Sequence, residues 1–170
     1  MKQDWLRLKW PNSRENCDRK VRTRPPHRPK RGENNVGLRY KAREYAIQML
    51  FQWEMSQKDP QTLVEQFWKA ASAADLTENF ANEIFLGAAK EIKELDKLIR
   101  EHCDNWKFER LPAIDRAILR LGIYELRANT APRRTVFNEA VELAKKYSGD
   151  DSARYLNGVL HAVSKVVKPA

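Results

Sequence analysis

Cysteine is nearly absent: Cys17 and Cys103 are the only two in 170 residues, they form no CxxC pair, and no histidine stands at ligand spacing from them. That pattern indicates neither a disulfide framework nor a zinc site, and His102 beside Cys103 reads as an incidental helical neighbour. Glycine is scarce as well, six in all, and none falls in a phosphate-cradling loop. With no nucleophile elbow and no His-Glu-x-x-His run, the sequence carries no catalytic signature, so an enzyme, a cofactor or a metal is not expected. Apolar residues never run uninterrupted for the length a bilayer requires, and the N-terminus lacks the apolar segment of a signal peptide. A cytoplasmic protein with no membrane partner is the expectation. Nor does any stretch alternate apolar and polar residues between hairpin turns, which leaves an all-α bundle.

What is abundant is positive charge, unevenly placed. The net charge is +9; residues 1–39 hold 12 Lys or Arg against 4 Asp or Glu, and the rest of the chain is nearly balanced at 20 against 19. The leading segment, residues 1–38, also contains Pro11, Pro25, Pro26 and Pro29 and no sustained apolar period, so it is expected to be a disordered basic tail. Trp5, Leu6, Leu8 and Trp10 at its start are unusual for a linker. A basic arm of this kind favours nucleic-acid binding over a general solubility role.

From Arg39 the pattern turns helical, with Ala42, Ala46, Met49, Leu50 and Trp53 on one face. Asp59 and Pro60 make a cap and first-position pair for a short second helix through Leu63, Phe67 and Ala70. Asp75 and Glu78, in capping-box spacing, open a long third helix whose stripe runs from Phe80 through Ile84, Phe85, Ala88, Ile92 and Leu95 to Ile99. After a loop around Asp104 and Asn105, LPAIDRAILRLGIYELR is apolar almost all round and belongs in the middle of a bundle. The chain closes with a helical hairpin. Val136, Ala140, Leu143, Ala144 and Tyr147 face inward on the first arm, with Thr135 as its cap. Leu156, Val159, Leu160, Val163 and Val167 face inward on the second, where Asp150, Asp151 or Ser152 is the cap. Carboxylates at such a helix start are capping groups by default, not an acid–base pair.

Three blocks, AREYAIQMLFQWEMS, DRAILRLGIYEL and NEAVELAKKYS followed by DDSARYLNGVL, resemble the NusB family of bacterial transcription antitermination factors in order and spacing, over residues 39–168. The resemblance implies about six or seven helices in two packed helical subdomains. It also implies binding to the boxA element of nascent ribosomal RNA together with the small-subunit ribosomal protein NusE, within an antitermination complex on RNA polymerase. Some members of the family form homodimers when the partner is absent.

Carried over residue by residue, the resemblance puts Arg39, Lys41 and Arg43 at the Arg-rich start of the first helix, suited to phosphates, and Arg120 on the central helix facing RNA. Tyr147 and Tyr155 match aromatic positions near the RNA surface, where bases stack; Tyr147 also fits the buried stripe. Asp151 matches an acidic position able to accept from a base amino group. Phe51 and Asp115 match the protein-partner interface as aromatic anchor and rim charge, Phe51 standing where some relatives carry Tyr and Asp115 where some carry Glu. Asn138, Glu139, Asn157 and Gly158 are family landmarks that buried hydrogen bonding and close helix approach explain without a ligand. Two other readings exist: the front domain of an RNA cytosine methyltransferase, which would need a cofactor-binding βαβ unit absent from this sequence, and a purely structural helical dimer with no boxA preference.

Overall fold

The computed structural model describes residues 33–103 and 107–167, with side chains from residue 37 onward. Residues 1–32 of the expected tail, with its tryptophans, and the Asp104–Asn105 loop therefore lie outside the described residues. Among those described, seven helices follow in order: α1 (Glu33–Ser56), α2 (Pro60–Ala70), α3 (Asp75–Lys90), α4 (Ile92–His102), α5 (Ala113–Ala128), α6 (Arg133–Ser148) and α7 (Asp150–Val166), with a 3-10 turn at Phe108–Arg110 before α5. No strand occurs among them. Helices α1, α2 and α3 pack on one another, as do α5, α6 and α7; α1 joins the two groups by packing on α5, and α4 lies against α5 and α7. One continuous apolar core runs through both groups, from Ala46, Leu50 and Phe85 through Leu119 and Ile123 to Leu143 and Leu160. Leu126, Ala131 and Val136 form a satellite at the α5–α6 turn.

Most elements follow from local chemistry. The Asp59 carboxylate accepts from the Thr62 N–H at 3.0 Å and caps α2, with Pro60 pre-set at its first position. Helix α5 is buried on nearly every side, as an all-round apolar helix must be. It stops at Asn129, which takes the left-handed conformation (φ 51°). Gly149, at φ 92°, turns the α6–α7 corner, where a side chain would be strained, and its N–H closes α6 on the Ala144 carbonyl at 3.1 Å.

Four local expectations are corrected. Helix α1 begins at Glu33, six residues before Arg39. The long third helix is two: at Glu91 the backbone leaves helical geometry (φ −99°, ψ 11°), α4 turns onto α5 and α7, and the Glu91 carboxylate meets Arg127 of α5 at 3.3 Å. Asp75 and Glu78 make no capping box, because Ala74 is the cap and both acids lie in the first turn, where they face the positive helix end. Likewise α6 starts behind Pro132, not Thr135, and α7 behind Gly149, leaving Asp150 and Asp151 in its first turn with no side-chain cap.

The glycines also sort differently from expectation. Close helix approach occurs at Gly87, where a Cβ would sit 2.0 Å from the Tyr124 hydroxyl, and at Gly122, where it would sit 3.0 Å from Leu160. Gly158, expected to serve that purpose, is exposed and a Cβ there would meet nothing within 4 Å. Gly158→Ala is accordingly expected to stabilise the fold by about 0.5–1 kcal/mol through helix propensity, whereas Gly87→Ala is expected to destabilise it by displacing the Tyr124 ring. Urea unfolding of both variants checks the signs; a loss at Gly158 would refute this account.

Candidate nucleic-acid and partner interface

The cations expected at the nucleic acid divide into two kinds. Arg39 is exposed; its guanidinium lies over the Phe80 ring, 4.9 Å from the centroid, and donates to the Thr130 carbonyl at 3.3 Å. Lys41 is partly exposed and donates to Glu44 at 2.7 Å. Arg43, one turn along the same helix from Arg39, is only 2 % exposed. Two of its nitrogens donate to the two oxygens of Glu125 at 2.8 Å each, and a third donates to Glu139 at 2.6 Å. The Arg43 fork, expected among the RNA contacts, thus clamps α1 to α5 and α6.

Arg120, expected to face RNA, is held in the same way. It is 5 % exposed and grips Asp96 of α4 with bonds of 2.6 and 2.9 Å, while its remaining terminal nitrogen donates to Glu54 of α1. Arg116 holds the other oxygen of Glu54 at 2.8 Å. Arg100, Arg116 and Arg120 gather around the Phe108 ring at 4.2–5.6 Å from its centroid, so the 3-10 turn is fastened by the same group of charges that fastens α4 to α5.

Tyr147 sits half-buried against the core and donates its hydroxyl to Glu44. Glu44 also receives Lys41 and, at 2.5 Å, Lys146. Burial alone would raise the Glu44 carboxyl, but the bonds from Lys146, Lys41 and Tyr147 outweigh it and hold its pKa below the ordinary range. Burial, and then the Glu44 acceptor, push the Tyr147 phenol well above its ordinary value, so it keeps its proton and remains a donor. Lys146 and Glu44 thus join the middle of α1 to the end of α6. Sequence reading passed over both, although Glu44 stands two residues from Ala42 and from Ala46 in a buried stretch.

A pH dependence follows from Glu44. Its folded-state pKa lies below the unfolded one, so its contribution is complete above the ordinary carboxylate value of about 4.3 and is lost as pH falls through the folded value. Glu139 opposes this: burial chiefly, with repulsion from Glu125, raises its carboxyl against the attraction of Arg43, so stability tied to it returns as pH falls. The variant Glu44→Gln isolates the first effect. Urea unfolding is expected to show it less stable than the parent at pH 7, with the gap narrowing as pH falls through the lowered folded-state value; a gap constant with pH would refute the assignment.

The remaining candidates are spread over the surface. Tyr155 is partly buried against the core from α7. Asp151 is almost fully exposed and pairs with Arg154 one turn on. Phe51 lies half-buried on α1. Asp115, expected as a rim charge, is 2 % exposed and accepts the Ser148 hydroxyl, tying the start of α5 to the end of α6. No group of three or more metal-ligating side chains converges among the described residues, and none of their helices is long and apolar enough to cross a membrane.

Comparison with known proteins bears directly on this arrangement. The NusB family profile matches residues 40–165. The chain is 40% identical over 124 residues to the transcription antitermination protein NusB of Thermoanaerobacter sp. (strain X514), covering 73% of this chain and 88% of that one. It is 39% identical over 134 residues to the NusB of Koribacter versatilis (strain Ellin345), covering 76% and 90%. Among solved structures, T. maritima NusB superposes with a TM-score of 0.70 at 27% identity, covering 77% of this chain and 93% of that one. A structure of antitermination factors NusB and NusE in complex with dsRNA matches at 0.68 and 29% identity, covering 76% and 98%. Sequence and fold agree across these comparisons, and the chain belongs to the NusB family.

Proposed function

We infer that this chain is a transcription antitermination factor that binds the boxA element of nascent ribosomal RNA together with the ribosomal protein NusE, in an antitermination complex on RNA polymerase. The observation that carries the reading is its match to a NusB solved with NusE and dsRNA, supported by the family profile over the whole helical bundle. The exposed cations Arg39, Lys41 and Lys146 supply phosphate contacts around the start of α1, and Tyr155 and Asp151 supply base contacts on α7. Arg43 and Arg120 act indirectly, by fixing the helices that carry those groups. Phe51 is the anchor for the protein partner, and Asp115 shapes that face from below by holding α5 to α6. The basic tail adds salt-sensitive attraction.

The test is RNA binding by the full chain and by a chain starting at Arg31, which keeps α1 whole. Each is measured with boxA and scrambled RNA, with and without NusE, across salt concentrations. BoxA preference that NusE tightens in both chains is the expected result, with a salt slope of roughly −0.7 per phosphate contact on single strands and a steeper slope for the full chain. Equal affinity for both RNAs under every condition would leave a structural scaffold as the better account.

A further inference from the structure

We propose that the outward groove between α6 and α7 is a second seat for single-stranded RNA, with a base stacked on His161 and the adjoining phosphates against Arg154 and Lys145. The proposal rests on the RNA-binding reading above. Because α6 and α7 run antiparallel, Phe137 near the start of one meets His161 near the end of the other. Their rings stack with centroids 4.2 Å apart and planes 14° from parallel. Phe137 is half-buried and leans on the core, while His161 is exposed. The imidazole is therefore the outer leaf of a platform whose inner leaf the fold holds in place.

Toward the Gly149 corner the same two helices open into a hollow of about 380 Å³, lined by Val141, Lys145, Asp150, Ala153, Arg154 and Asn157. Between hollow and platform lies Gly158, exposed and with nothing within 4 Å of where a Cβ would stand. A glycine inside a helix is conformationally costly, and no neighbour within the described chain requires this one. Close approach of an outside molecule to the α7 backbone gives it a purpose.

The charges of the hollow suit a nucleotide strand. Among the described residues Lys145 and Arg154 pair with Glu142 and Asp151, each three residues away and exposed, and such surface pairs are weak enough to exchange for a phosphate. Asp150 supplies an acceptor for a base amino group. Arg154 and His161 are seven residues apart, about 10 Å along the helix, so platform and cations lie within reach of neighbouring nucleotides. A flat ring beside a bare stretch of backbone fits a planar base better than it fits the side chains of an acidic protein segment.

The experiment measures fluorescence anisotropy of labelled boxA RNA with the full chain and with His161→Ala, His161→Phe, Gly158→Gln and a reference double variant, Arg39→Ala with Lys41→Ala. Thermal unfolding midpoints show that each is folded. His161→Ala is expected to weaken binding roughly tenfold, as loss of one stacked base does. His161→Phe is expected to restore it, and Gly158→Gln to weaken it without lowering the midpoint. If His161→Ala and Gly158→Gln bind like the parent while the reference variant is weakened, the groove proposal is overturned and the RNA reading stands. If the parent binds no RNA, both fall. Unchanged RNA affinity with impaired NusE capture by His161→Ala would make the groove a protein contact and likewise overturn the proposal.

Discussion

Arg43→Ala is expected to cost about 3–5 kcal/mol of folding free energy, the range found when one member of a buried ion pair is removed. The reason is what remains. Glu125, 1 % exposed, keeps only the Thr130 hydroxyl, which donates to it at 2.8 Å, and Glu139 loses the guanidinium that offsets its own burial. Two carboxylates are then left facing each other in a poorly solvated space. Lysine restores little, since a single ammonium cannot serve both oxygens of Glu125 and one of Glu139 at once. Urea unfolding at pH 7 measures the loss, and RNA binding below the unfolding transition supplies the discriminating readout. A variant as stable as the parent but defective in RNA binding would show that Arg43 is a ligand contact after all.

Arg120→Ala is expected to rank second, at about 3 kcal/mol, near the lower end of the same range. Its partners Asp96 and Glu54 reach some water, with 16% and 17% of their side chains exposed, and Arg116 still holds Glu54. A double-mutant cycle with Asp96→Asn separates the pair from its surroundings: the two losses should fall well short of additive, because each variant already breaks the same contact. Additive losses would mean that the Asp96 contact carries no energy of its own.

These two arginines also show where sequence reading worked and where it failed. Arg43 lies three residues before Ala46 and seven before Leu50; Arg120 lies three after Ala117 and four before Tyr124. Both therefore fall on stripes that periodicity identified as buried, and a charge on such a stripe implies a buried counter-charge. Resemblance suggested RNA for both, and the periodicity accounts for their burial. The hairpin, the central helix and the Asp59 cap were legible because each rests on short-range spacing. The break at Glu91 was not, since Leu95 follows Ala88 by seven residues and keeps the stripe in phase across it; only the position of α5 and α7 requires the turn. Phe137 and His161 were equally hidden, because rings on two helices meet only once the hairpin has closed.

Helix α5 contributes buried side chains to both helical groups, and Arg43 and Glu54 of α1 and Asp96 of α4 bind that helix. Among the described residues the two helical groups consequently share one core through α5. Slow amide exchange in α3 and in α7 should be governed by the same global opening. A molecule that grips α1 on one side and α7 on the other therefore meets two faces built on one shared core.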